Sequence, residues 1–338
     1  MPTPQKQPTP DFIFETLNAY QRTAALKAAI ELDIFTAIGE GSSTAMALGK
    51  RCGSAERGTR ILCDYMVVLG FLTKQGDRYA LTPDSAVFLD TRSPKCVAAC
   101  MQFLLAPEMV DSFKRFTEAV RQGASVMAGE ATVEPDNPLW VEFARSMAAL
   151  QSLPAEGLAR MLESEKGARW KVLDVAAGHG LFGIAIAKHN PNAEIFALDW
   201  AKVLEVAGEN ARAAGVASRH HAVPGSAFDV PMGSGYDLVL LTNFLHHYDP
   251  PAIEKLLRKV HAALAPGGRA ITLEFIPNED RVSPQLPASF SVIMLNNTKG
   301  GEAYPFSEYE RMFRNAGFSS SDLRDMPAGP SRVIISHK

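Results

Sequence analysis

The sequence predicts an α/β protein: a doubly wound, mostly parallel seven-stranded sheet with an antiparallel last strand, preceded by an α-helical winged-helix domain. Three observations predict it. From Trp170 onward, short apolar runs alternate with helical stretches, as in a parallel sheet covered on both faces. The first third reads instead as helices around one hairpin. The chain then closes on two strand-like runs in immediate succession, which suit an antiparallel pair. The outcome is a Rossmann-like sheet with a helical domain in front of it.

At 338 residues the chain exceeds one small core and divides into about two domains. A net charge of −3 gives no field that would draw the whole chain to nucleic acid or an acidic membrane. Cys52, Cys63, Cys96 and Cys100 follow no metal or disulfide spacing, and reduced thiols in a cytoplasmic protein are expected. Residues 1–11 are polar and Pro-rich, a disordered tail rather than a targeting signal. No run approaches bilayer-spanning length.

The winged-helix domain is expected over 12–100. "FIFETLNAYQRTAALKAAIELDIF" repeats apolar residues at helical spacing until Gly39 and Gly41 end it. "TAMALGKRCG" and "SAERGTRILCDYMVVLGFL" follow as two helices, the second capped by Ser54. Gln75-Gly76-Asp77 then sits between two short strands. A helical connection follows over 101–165, including "EMVDSFKRFTEAVRQG" and "LWVEFARSMAALQSLPAEGLARMLE" with a Pro/Gly-containing linker between. In the last domain, 166–338, the strands are "KVLDVA", "EIFALD", "HHAVPG", "YDLVLLTN", "RAITLEFI", "SSSDLRDM" and "SRVIISHK". Helices start near 181, 202, 251 and 306, and a tight turn at "PAGPS" joins the final pair.

"KVLDVAAGHGLFG" contains a literal G-x-G-x-x-G in Gly178, Gly180 and Gly183. Glycines between a strand and a helix let the backbone approach a ligand at the helix N-terminus. A dinucleotide would place its pyrophosphate there. Asp174, four residues earlier, opposes that: a carboxylate at about 5 Å from an anion costs about 3 kcal/mol at an effective dielectric near 20. S-adenosylmethionine presents an ammonium and a sulfonium instead, and suits this loop better. Asp199 ends the second strand, where an acidic residue can bond both ribose hydroxyls. Trp200 follows it and can stack on adenine.

His246 lies just beyond the fourth strand, at the carboxyl edge where doubly wound sheets bind ligands. Glu274 ends the fifth strand, and Glu302 sits in the loop before the next helix. A histidine with a carboxylate partner can take the proton of an attacking hydroxyl. Glu274 would fix the ring tautomer, and Glu302 would hold the other side or a substrate group. The pairs His246-His247 and His220-His221 lack a third ligand at metal spacing, so no metal is expected.

These residues resemble class I S-adenosylmethionine-dependent O-methyltransferases with an N-terminal winged-helix dimerisation domain, the caffeate and hydroxyindole type with bacterial relatives. The resemblance runs from about residue 12 to the end. It implies that Asp174 opens the glycine loop and Asp199 binds ribose. "PGSAFDVP" is similar to the family's adenine segment, which puts Gly225, Ser226, Ala227 and Phe228 near the base. It implies His246 as catalytic base, with Glu274 and Glu302 in support. The cofactor contacts implied are completed by Gly178, Gly180, Trp200, Asn243, Phe143 and Met147, the last two on the helix that closes over cofactor and substrate. Met101, Phe103, Phe290, Met294 and Asn297 are expected to line the acceptor pocket. A homodimer through the N-terminal domain is implied, with a small-molecule acceptor and neither nucleic acid nor membrane as partner. Departures from the family pattern are Ala176 for the first loop glycine, Ser226 for an aspartate, His247-Tyr248 for Asp-Trp and Thr242 for a lysine. They leave the methylated atom open between oxygen, carbon and nitrogen.

Two other classes compete. A DNA-binding sensor needs a basic reading helix, yet "ILCDYMVVLGFL" is apolar, and residues 41–90 carry six Lys/Arg against five Asp/Glu. An NAD-dependent oxidoreductase is favoured only by the literal glycine pattern.

Overall fold

The computed structural model describes residues 8–127, 137–327 and 329–338. The start of the expected tail (1–7), most of the Pro/Gly-containing linker (128–136) and Ala328 of the final turn lie outside the described residues. The chain forms two compact units, Met1–Met101 and Gln102–Lys338, so the helical segment from 102 to 165 belongs to the unit that carries the large sheet.

In the first unit, helices Ala45–Cys52 and Glu56–Val68 precede a hairpin of β1 (Leu72–Gln75) and β2 (Arg78–Leu81). Ile34, Phe35, Leu48, Cys63, Met66 and Tyr79 form its core. The opening helical stretch is three helices, Asp11–Leu17, Ala19–Glu31 and Ile34–Gly39, rather than one. Asp33 breaks it in the left-handed region (φ 56°), which an aspartate tolerates better than a branched residue. Ser54 does not cap the next helix. Ala55 holds that position, and the Ser54 hydroxyl pairs with Thr59 Oγ1 at 2.7 Å.

In the second unit the strands are β3 (Lys171–Val175), β4 (Glu194–Asp199), β5 (His220–Pro224), β6 (Tyr236–Thr242), β7 (Leu264–Glu274), β8 (Ser320–Asp325) and β9 (Arg332–His337). Their spatial order is β5-β4-β3-β6-β7-β9-β8. The first five run parallel, and β9 runs antiparallel to both β7 and β8. Alternate residues of β3 and β6 feed different cores: Leu173, Val175, Val239 and Leu241 one, Val172, Leu238 and Leu240 the other. Both faces are therefore covered, which explains the uninterrupted apolar strands. The strand order reverses between β3 and β6, and ligands of such sheets bind outside the carboxyl ends at that point. Among the described residues no helix is long and apolar enough to cross a membrane.

Candidate active site

The loop after β3 runs from Ala176 to Gly180 into helix Leu181–His189. Ala176, Gly178 and Gly180 all take positive φ (53°, 57° and 73°). For Ala176 this costs about 1–2 kcal/mol, a strain that glycine would avoid. Gly183 serves packing rather than a ligand: a Cβ there would stand 2.6 Å from Ile195 Cγ2 and 3.0 Å from Asp174 Oδ2.

Asp174 is not at the mouth of the loop, as its position in sequence suggests. Within β3 it is fully buried, and its Oδ2 accepts the Gly183 N–H at 3.1 Å. Its Oδ1 has no partner among the described residues. Burial, offset by that bond and reinforced by the Asp199 charge, lifts its carboxyl to about 7. A cation reaching Oδ1 would hold it ionised, and an anion would raise it further. Asp199, half-buried at the end of β4, accepts the Gly178 N–H at 2.8 Å and the Trp200 N–H at 2.7 Å. Burial lifts it to about 6 against these two bonds. Each oxygen keeps a lone pair for a hydroxyl donor. An unpartnered acceptor in Asp174 and a second in Asn243 Oδ1, with Asp199 between loop and strand end, fit a cationic nucleoside.

The turn after β5 stands beside Asp199, because the Gly225 N–H donates to the Asp199 carbonyl at 2.9 Å. Gly225 is required there by φ 134°. The Ser226 hydroxyl accepts the Phe228 N–H at 3.1 Å, and Ala227 is buried. Helix Leu139–Ser146 covers the glycine loop. The Phe143 ring lies 3.8 Å from where a Gly178 Cβ would sit and packs on Phe103, Trp140 and His179. Met147, just past that helix, is buried, and Trp200, like Trp140 and Val141, packs against a small cluster of Ala144, Val203 and Val206.

The turn Leu245–His247 follows β6, and Glu274 ends β7 beside it. Glu274 is fully buried. Its Oε1 accepts the Phe244 and Leu245 N–H groups at 2.9 and 2.8 Å, and its Oε2 pairs with His246 Nδ1. A carboxylate can only accept, so Nδ1 carries the hydrogen and Nε2 keeps its lone pair. Phe290 packs edge-on against the His246 ring, 4.9 Å between centroids. One residue that the sequence reading did not name, and one that it weighed only as a metal ligand and as a departure from the family pattern, also belong here. Trp140, one helical turn before Phe143, packs edge-on against His247 at 5.3 Å; the i, i+3 aromatic spacing was the available signal. His247 has an unpartnered buried Nδ1, and burial holds its ring well below the ordinary histidine range, so it stays neutral.

Glu302 differs from expectation. Its loop does reach the histidines: a Cβ on Gly301 would stand 2.2 Å from the His246 carbonyl oxygen. The Glu302 side chain, however, pairs with Arg281, which also pairs with Glu308. The long Arg281 reaches from the neighbouring loop, and its charge claims the carboxylate. Of the expected pocket residues, Met294 is buried, and Asn297 is buried with its amide donating to the Ile293 carbonyl and accepting from Ser112. Met101 closes the first unit and is half-buried. Among the described residues no three His, Cys, Asp or Glu side chains gather as a metal cage.

Fold and site together define an α/β enzyme of the nucleoside-binding type, with a histidine held on a buried carboxylate at the carboxyl edge of the sheet. Residues 113–319 match the O-methyltransferase domain and residues 14–91 the O-methyltransferase dimerisation domain. The chain belongs to the O-methyltransferase family, which removes the oxidoreductase reading of the glycine pattern. It is similar to 3-hydroxy-5-methyl-1-naphthoate 3-O-methyltransferase of Streptomyces sahachiroi, 29% identical over 99% of this chain and 97% of that one. A candidate O-methyltransferase from Nostoc punctiforme is 51% identical, with a TM-score of 0.95 over 98% of this chain and 100% of the other. Human N-acetylserotonin methyltransferase, solved with S-adenosylmethionine, shares the fold at 21% identity and a TM-score of 0.86, covering 100% and 99% of the two chains.

Proposed function

We propose that this chain moves a methyl group from S-adenosylmethionine to a hydroxyl of a small aromatic metabolite, with His246 as general base. One observation carries the reading: a fully buried Glu274 accepts a hydrogen bond from His246 Nδ1–H and leaves Nε2 as the basic nitrogen. Bound at this loop, S-adenosylmethionine supplies a methyl group already activated by positive sulfur. Asp199 would hold its ribose, Asp174 and Asn243 its charged amino-acid end, and Phe143 and Met147 its cover. Phe290, packed on His246, would press an aromatic acceptor edge-on so that its hydroxyl meets Nε2. His246 accepts that hydroxyl's proton as the oxygen attacks, and Glu274 stabilises the resulting imidazolium. The naphthoate hydroxyl named in the Streptomyces relative supports an aromatic acceptor. The enzyme is proposed to be cytoplasmic, in keeping with four cysteines at no disulfide spacing, and to pair with a second copy through residues of the dimerisation domain.

Substitution of the base tests the mechanism. His246→Ala is expected to slow turnover about 100-fold or more while S-adenosylhomocysteine binds nearly as before. Turnover at the wild-type rate would reduce His246 to a structural role.

A further inference from the structure

The turn after β5 is held from behind by a lysine. Lys259, half-buried on helix Pro250–Ala263, donates from its ammonium to the carbonyls of Ala227 (2.8 Å), Phe228 (2.6 Å) and Val230 (3.2 Å). Three donors meet three acceptors, which a planar guanidinium could not reproduce from one nitrogen. Ser226 completes the turn, its carbonyl accepting the N–H groups of Asp229 (3.1 Å) and Val230 (3.0 Å). A trans peptide points each carbonyl opposite to the following N–H. With the Ser226 carbonyl turned into the loop, the Ala227 N–H faces out of it. That N–H finds no partner among the described residues, although Ala227 is 6% exposed. A buried unpaired donor signals an absent acceptor. The Ser226 hydroxyl accepts the Phe228 N–H and is thereby tied to the turn.

We infer that Lys259 is a positioning residue for the cofactor's base: by fixing three carbonyls it aims the Ala227 N–H at the acceptor edge of adenine. The inference rests on the S-adenosylmethionine reading and adds to it how this chain selects adenine. Main-chain donors do the recognising, and the lysine sets their direction. Adenine N1 is an acceptor, whereas hypoxanthine carries hydrogen at N1 and would set donor against donor.

Calorimetric titration of the full chain with S-adenosylhomocysteine and its deaminated counterpart, S-inosylhomocysteine, tests this. Wild-type protein is expected to prefer the adenine compound by about tenfold or more. Lys259→Met is expected to bind S-adenosylhomocysteine about tenfold more weakly and to lose most of that preference, with turnover at saturating cofactor within about threefold of wild type. Lys259→Arg keeps the charge and is expected to lose the preference too, so the test does not depend on one variant folding. An unchanged preference in both variants overturns the inference. So does an equal loss for both compounds, which would mark Lys259 as a staple of the loop. Wild-type protein that binds neither compound would instead overturn the cofactor reading itself.

Discussion

Asp174 shows how far a residue's identity can be read and where its setting decides. Its type and spacing point to a cation rather than a pyrophosphate. Burial was not legible, because the packing of Gly183 against the strand closes over it. That burial has a consequence for stability. The Asp174 carboxyl at about 7 and Asp199 at about 6 both lie above their unfolded values near 3.9. The folded chain therefore holds more protons than the unfolded one in this range, and stability falls as pH rises through the folded values. The buried neutral histidines, His179 near 4 among them, act in the opposite sense, an effect that fades only as pH rises well past the unfolded histidine value near 6.5. Between pH 6.5 and 8 Asp174 still titrates, and its own share of the slope in the ligand-free protein is a loss of roughly 1–2 °C in melting temperature. Asp174→Asn, which mimics the protonated acid, is expected to remove that share, so that wild type loses melting temperature relative to the variant as pH rises. Parallel slopes for the two proteins in a thermal-shift series would contradict this.

Elements were legible where burial is uniform. Parallel strands covered on both faces keep continuous apolar runs, and β4 ends where those runs end. Helix Gln285–Asn297 was not among the expected helices, because Pro284 and Pro287 read as loop signals; both sit at its start, where proline is tolerated. The same helix carries Phe290 and Met294, one turn apart, both singled out in the sequence although the helix was not. In the first unit, helix Asp11–Leu17 has no buried residue, and Phe12 (78% exposed) and Leu17 (65%) meet solvent within this chain. An apolar helix of this kind asks for a partner surface. Light scattering is expected to give the mass of two chains, and a one-chain mass would remove the proposed dimer.

For the whole molecule, chain order and sheet order together explain why the site assembles at one edge. The loops after β3, β4, β5, β6 and β7 all leave the carboxyl ends, bringing Asp199, Ala227, His246 and Glu274 to one side although they span much of the chain. Asp199, His246 and Glu274 were legible because strand ends mark them, whereas Ala227 came only from the resemblance of its segment to the family's. Glu302 was not, since a long side chain on a loop answers to its nearest countercharge, here Arg281. The central claim is methyl transfer to an aromatic hydroxyl at this edge. Incubating the enzyme with methyl-labelled S-adenosylmethionine and a panel of phenols, then locating the label in the products, tests it most directly. Label on a phenolic oxygen is the predicted result. Label only on carbon or nitrogen, or no transfer to any phenol, would contradict it.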